Sequence, residues 1–413
     1  MLGKLVHFAS NLMVVFVAIL VSMLSVDILG YYFLPQQYSE ALPGYRFGDA
    51  YLTMGYYPKG YFRRDAQLGF DIEANARATT THVDGMAYSI FSNSVGCFDE
   101  RDVADFQSNN WVYFGGDSFT WGFAPYKKKF ATQFERLTGT KTAKCGVPHT
   151  GTRHEFEKFK LTIQRIGSFL PSLVFAAFFD NDLQNDYAHP HTTVIDGWLV
   201  DSAYATTPRR LTLYRPPLPL LEEAARRELD IRLSPPGPLT RLRNFLHKYS
   251  LSLNLLEYWG LKLIELADPT SRVGHTKFGY SIYYLNEPAS ENNQALEFQD
   301  SLLAQPTKQA ILEWQKHANE NLYRLVFVLV PRKEHLADIA HYPDYYSQVK
   351  IYLKSHAIEY IDLTERFREE RLSAQSLYWK HDKHFNEDGN AVVGRILANW
   401  FFSSHCQENH CGR

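Results

Sequence analysis

Three short polar groups in this chain have the residue types that nucleophilic acyl transfer needs. The first is Gly116-Asp117-Ser118-Phe119-Thr120, directly after the apolar run Trp111-Val112-Tyr113-Phe114. A serine where a buried strand turns into a helix can present its hydroxyl beside the free backbone N–H groups of the helix start. The second is Asn181-Asp182, after the run Leu173 to Phe179. An amide there can donate to a developing oxyanion. The third is Asp382-Lys383-His384-Phe385-Asn386, ahead of the last helical pattern. A serine hydroxyl needs a base, imidazole is the usual one, and a carboxylate can orient the ring and stabilise imidazolium. Each group also has a purely structural reading. Asp117 or Ser118 can cap a helix, Asn181 can close an Asx turn, and the last group can be a polar loop before a helix capped by Asn386 or Asp388.

These groups need a scaffold that brings them together. The runs at 111–114, 173–179 and 325–330 are short, continuous and apolar, as in parallel strands buried on both faces. Ile358 to Leu363 is a more mixed fourth strand. Helical spacing connects Phe156, Phe159, Ile163 and Ile166, then Ile311, Trp314, Ala318 and Leu322, then Val392, Ile396 and Trp400. The alternation implies a layered α/β fold with a parallel sheet, whose sites lie at the carboxyl ends of the strands.

Taken in order, Gly116-Asp117-Ser118, Asn181-Asp182 and Asp382-x-His384 resemble the blocks of the SGNH (GDSL) hydrolase superfamily. The Asp-x-His form followed by an aromatic residue is similar to the alginate-type polysaccharide O-acetylation proteins; the common form has two intervening residues. Asn93-Ser94-Val95-Gly96 resembles a lead-in of membrane-anchored members. The resemblance covers residues about 110 to 186 and 320 to 403. It implies a three-layer α/β/α sandwich with a flavodoxin-like parallel sheet. It also implies an oxyanion hole from the Ser118 N–H, the Asn181 side chain and a second-block glycine. That block reads Cys145-Gly146-Val147-Pro148-His149-Thr150-Gly151, with His149 in the usual glycine place and Gly151 beside it. Ser118, His384 and Asp382 are then the catalytic set, with Asp117 and Asp182 in support, and neither metal nor organic cofactor is required.

The rest of the chain sets the context. The 413 residues carry 45% hydrophobic and 21% charged side chains, which reads as globular. The net charge of -2 and the lack of any nucleic-acid motif argue against an RNA or DNA partner. Phe8 to Val26 is charge-free and long enough to cross a bilayer core of ~30 Å. A cleaved signal or a core helix are the other readings of that run. Lys4 before it and Glu40 and Asp49 after it orient an anchor with the bulk of the chain outside the cytoplasm. Cys406 and Cys411 are expected to form a disulfide, and Cys97 to be a candidate partner of Cys145.

The expected organisation is an anchor at 1–36, a lead-in at 37–110, the hydrolase-like domain at 111–186 and 307–403, an insertion or cap at 187–306, and a tail at 404–413. The expected function is a serine-dependent ester hydrolase or O-acyltransferase on an extracytoplasmic glycan. A lipid-directed esterase at the membrane surface and a non-catalytic binding protein of the same fold are the alternatives.

Overall fold

The computed structural model describes residues 2–33, 57–82, 86–108, 110–188, 192–201, 218–234, 237–239, 241–242, 250–267, 271–276, 279–284, 298, 302–337, 344–380 and 382–408. The chain opens with α1 (Leu2–Phe33). Two antiparallel hairpins follow, β1 (Phe62–Asp65) with β2 (Gly69–Ile72) and β3 (Arg77–Thr81) with β4 (Ala87–Phe91). An alternating α/β region then runs through β5 (Val112–Gly115), α2 (Ser118–Trp121), α3 (Phe130–Thr138), β6 (Thr142–Lys144), α4 (Thr152–Ile166), β7 (Leu173–Phe178) and α5 (Asp182–Ala188). The hairpin β8 (Thr192–Ile195) and β9 (Trp198–Asp201), helices α6 (Leu218–Leu233) and α7 (Leu251–Ala267), and the hairpin β10 (Ser271–Thr276) and β11 (Gly279–Tyr284) interrupt it. It resumes with α8 (Gln305–Asn321), β12 (Arg324–Leu329), α9 (Lys333–Ala337), α10 (Ser347–Ser355), β13 (Glu359–Asp362), α11 (Leu363–Glu369), α12 (Ala374–Leu377) and α13 (Glu387–Glu408).

Five strands form one sheet in the order β13-β12-β7-β5-β6, and all four pairings are parallel. Successive side chains face opposite sides, so each strand feeds two cores. Trp111, Tyr113, Val174, Ala176 and Phe327 pack with Phe156 and Phe159 of α4 and Trp314 of α8. Val112, Phe114, Phe175, Ala177 and Val328 pack with Phe130 and Phe134 of α3 and Val393 and Leu397 of α13. Burial on both faces is why these strands read as continuous apolar runs. The result is the expected three-layer α/β/α sandwich. Numbered within the sheet, the order is 2-1-3-4-5, which reverses between β5 and β7. A topological switch point of this kind opens a crevice outside the strand ends.

Two expectations are corrected. The sheet has a fifth strand, β6, whose three residues Thr142-Ala143-Lys144 carry no apolar run that would reveal it. Leu322 does not belong to the apolar face of α8. It is the C-cap, in the left-handed region at φ 57° and 93% exposed, while Ile311, Trp314 and Ala318 are buried as expected.

The lead-in hairpins bury Tyr61, Phe62, Phe70, Ile72, Tyr88 and Ile90 against Trp121 of α2 and Phe123 just beyond it. Two buried ion pairs fix the segment to the core: Lys158 Nζ to Asp71 Oδ2 at 2.7 Å and Lys144 Nζ to Asp99 Oδ1 at 3.0 Å. Breaking either would strand a buried charge, at a cost of about 3–5 kcal/mol. A disulfide joins Cys97 to Cys145, with Cα atoms 4.4 Å apart. The expected Cys406–Cys411 bridge lies outside the residues whose side chains are described.

The chain divides into two compact units, and the sheet and the hairpins β1–β2 and β3–β4 belong to one of them. The other contains α1, α7, β10 and β11. Within it, Asp27 of α1 caps α7: Oδ1 accepts from the Ser252 N–H at 2.7 Å and Oδ2 from the Ser250 hydroxyl at 2.8 Å. This gives a partner to the carboxylate that interrupts the apolar N-terminal run. Met13, Phe16, Leu20 and Leu24 of α1 are exposed. Among the described residues no helix is long and apolar enough to cross a membrane.

Candidate active site

Ser118 is the first residue of α2, and Asp117 is its N-cap, accepting from the Phe119 N–H at 2.9 Å. The cap forces a tight exit from β5. Gly116 makes it at φ 143°, where a Cβ would come within 2.2 Å of Thr120 Oγ1 and 2.8 Å of the Ala177 Cβ. The second-block loop is pressed against the same helix: a Cβ on Gly146 would lie 2.2 Å from the Trp121 N. The Ser118 hydroxyl is thereby held at the carboxyl end of β5, beside the switch point.

His384 comes from 266 residues further along the chain, and its Nε2 lies 2.8 Å from Ser118 Oγ. Its place is set by neighbours. Phe385 is buried against Phe119 and Phe367, Asn386 caps the start of α13 by accepting from the Gly389 N–H, and the His384 carbonyl accepts from the Trp379 N–H. The imidazole packs on Phe123, with ring centroids 4.1 Å apart, and on Phe119 at 4.9 Å.

Asp382 closes the set. Its Oδ1 faces His384 Nδ1 at 2.5 Å and accepts the His384 backbone N–H at 2.7 Å. The Asp-x-His spacing therefore suffices, because the acid folds back along its own turn. Burial pushes the Asp382 carboxyl upward, but the His384 contacts, aided by His82, hold it far below the usual carboxylate range. An ionised acceptor at Nδ1 keeps the proton there and leaves Nε2 free to take the Ser118 proton. Ser118 has a competing acceptor in Asp117 Oδ2 at 3.1 Å. Burial raises the Asp117 carboxyl despite the Phe119 N–H and the nearby His384.

The remaining expected residues are placed as follows. Asn181 lies in the turn after β7, the strand next to β5, and its Oδ1 is buried with no hydrogen-bond partner among the described residues. His149 is exposed and strained, in the left-handed region at φ 63°. Gly151 is the N-cap of α4, where a Cβ would meet Asp186 Oδ1 at 2.6 Å and the Asp182 carbonyl at 2.7 Å. Asp182 is fully buried, and its Oδ2 accepts from the Thr152 hydroxyl at 3.3 Å. Among the described residues no cluster fits a metal ion.

Three residues around the Asp382–His384 turn have no sequence signal. Phe123 and Trp379 sit in loops without a motif, and His82 follows β3 in the lead-in. Only their place in the fold reveals them.

No family model and no curated protein matches the sequence. Among solved structures, the chain is similar to an acetylxylan esterase from Geobacillus stearothermophilus, at 10% identity and a TM-score of 0.34, over 71% of this chain and 94% of that one. It is also similar to a member of the lipolytic protein G-D-S-L family from Veillonella parvula DSM 2008, at 10% identity and a TM-score of 0.33, over 70% and 97%. A third is a GDSL-like lipase from Bacteroides thetaiotaomicron VPI-5482, at 8% identity and a TM-score of 0.32, over 72% and 89%.

Proposed function

We propose that the chain is a serine-dependent acyl-ester hydrolase or O-acyltransferase of the SGNH type. The observation that carries this is the contact of Ser118 Oγ with His384 Nε2 at 2.8 Å, backed by Asp382 on the opposite ring nitrogen. In the first half-reaction His384 takes the hydroxyl proton as Ser118 Oγ attacks the ester carbonyl. The Ser118 N–H at the start of α2 and the Asn181 amide are the candidate oxyanion donors. The tetrahedral adduct expels the alcohol, which takes the proton from His384, and an acyl-Ser118 remains. In the second half-reaction His384 deprotonates water or an acceptor hydroxyl, which releases the acid or a new ester.

The finer reading is an O-acyl, foremost acetyl, ester on a glycan outside the cytoplasm, with residues 1–36 as membrane anchor. The charge-free run Phe8 to Val26 supports the anchor. A disulfide between Cys97 and Cys145 suits an oxidising compartment. Exposed Leu256, Trp259, Leu263 and Leu266 of α7 favour the lipid-directed alternative. The insertion at 187–306 is proposed to shape substrate choice.

The test is covalent labelling of the full chain in detergent with a fluorophosphonate, located by mass spectrometry, and turnover of aryl esters from acetyl to long-chain acyl. Labelling at Ser118, absent in Ser118→Ala, is expected, with acetyl esters preferred. An unlabelled Ser118 would leave the non-catalytic alternative. A long-chain preference would move the substrate to lipid.

A further inference from the structure

Asp382 has two oxygens, and the catalytic set uses only one. Oδ1 serves the His384 backbone and Nδ1. Oδ2 faces the Nε2 of His82 at 3.7 Å, within ion-pair reach and longer than a direct hydrogen bond, and the His82 side chain is fully buried. His82 arrives from the lead-in, just beyond β3, and its backbone N–H donates to the Met86 carbonyl at 2.7 Å across the hairpin.

The ring is held on its flanks as well. It lies on Trp379, with centroids 4.4 Å apart and planes 32° apart, and meets Phe123 edge-on at 6.2 Å. Trp379 in turn donates its indole N–H to the Phe123 carbonyl at 2.9 Å. Phe123 is the ring against which His384 packs. His82 and His384 thus share one aromatic wall and one carboxylate.

A carboxylate two residues from its histidine lies on the same short turn as that histidine. Its χ2 torsion is broad and roughly two-fold, so one fixed oxygen does not fix the plane of the group. A donor on the second oxygen does. Catalytic groups keep productive geometry only when their own supports are locked, and a misplacement of about 1 Å costs roughly 10²-fold in rate.

We propose that His82 is a positioning residue that braces Asp382 through Oδ2, so that the relay runs His82–Asp382–His384–Ser118 and the β3–β4 hairpin is part of the catalytic apparatus. The proposal rests on the esterase reading for its kinetic consequence. Its geometric content stands without it.

The test compares full-length His82→Phe and His82→Gln with the wild type. Phenylalanine keeps the ring in the aromatic wall and removes the donor; glutamine gives up the ring and keeps an amide donor. On an aryl acetate, His82→Phe is expected to lose about 10- to 100-fold in kcat with KM within about threefold, and His82→Gln to recover to within about fivefold of wild type. The rate of fluorophosphonate labelling at Ser118 should follow kcat. Wild-type activity in His82→Phe overturns the proposal. So does equal loss in the two variants, which would make His82 a packing residue. If His82→Phe fails to fold, His82→Asn, whose amide falls short of Asp382, takes its place against His82→Gln with the same expected order. A wild-type protein with no Ser118-dependent turnover sinks the esterase reading alone. The brace is then decided by the His384 Nδ1 proton resonance, which should move or vanish without the donor at residue 82 and persist in His82→Gln. A resonance unchanged in all variants overturns it.

Discussion

Two sets of buried carboxyls lie in the sheet-bearing unit, and they have opposite electrostatic fates. Asp382 is nearly buried, with 8% of its side chain exposed, yet its carboxyl is held far below the usual range by His384 and His82. Asp117, Glu155, Asp182 and Asp186 are buried as well, at 1%, 3%, 0% and 1% exposure, and all four are pushed upward by burial. Glu155 has no hydrogen-bond partner on either oxygen among the described residues, and Asp182 has none on Oδ1. The difference lies in the neighbours. Desolvation alone disfavours the charged form, and only a cationic or donating partner reverses it. Glu155 and Asp186 each add to the upward push on Asp182, so charges in this layer oppose one another. The consequence for chemistry is direct. The carboxyl beside the imidazole is biased toward its charged form, while burial biases Asp117, Glu155, Asp182 and Asp186 toward their neutral forms.

The comparison breaks first at the charged end. His384→Ala and Ser118→Ala should each remove at least about 10⁴-fold in kcat, and the double variant should be little worse, because the pair acts as a unit. Asp382→Asn, which keeps the shape and removes the charge, should cost about 10²–10⁴-fold on aryl acetates. Near-normal turnover in Asp382→Asn would mean that the ionised acid is dispensable. Asn181→Ala comes next, at about 10²–10³-fold in kcat with folding intact by circular dichroism, as for loss of one oxyanion donor. A change confined to KM would assign Asn181 to substrate binding instead.

How far these residues can be read from sequence follows from the range of the interactions that place them. Three of the strands, β5, β7 and β12, are legible because burial on both faces demands unbroken apolar runs, and β13, at the sheet edge, shows a more mixed pattern. Ser118 and Asn181 are legible because each ends such a run, and His384 because it precedes the closing helix. The Asp382–His384 contact is legible too, since it spans only two residues. His82 is not. It sits between Thr81 and Val83 with no motif, and its role comes from a hairpin folding over α2 from outside the sheet. The acid layer is equally hidden, because Glu155 and Asp186 occupy ordinary-looking helical positions whose facing neighbours only the packing of α4 on α5 supplies. Leu322 fails in the other direction: its spacing fits the helix, but α8 has already ended.

At the neutral end of the comparison, substitutions should be mild for a stated reason. Glu155→Gln replaces an acid that burial biases toward its neutral form by an amide of the same shape. Aryl acetate turnover at neutral pH should stay within about threefold of wild type. A loss like that of Asp382→Asn would show that Glu155 is charged and coupled to the site.

Asp186 gives the sharpest version of this argument, because its carboxyl is pushed up to about 7 by burial, against the lowering donors Thr307 and Arg153. The Thr307 hydroxyl lies 2.7 Å from Oδ2, and the Arg153 N–H donates to Oδ1 at 3.0 Å. An unfolded aspartate titrates near ~3.9. The folded state therefore binds the proton more tightly between these values. The stability this confers is fully present below about pH 4 and is lost as pH rises through about 7, with a slope of up to about 1.4 kcal/mol per pH unit. Asp186→Asn mimics the protonated acid, with its oxygen accepting from Arg153 and its amide donating to the Thr307 hydroxyl. Urea unfolding of both proteins from pH 5 to pH 8 should give a difference that grows in favour of the variant as pH rises. Parallel curves would mean that Asp186 stays unprotonated in the fold, and the contrast with Asp382 would then rest on Asp117, Glu155 and Asp182.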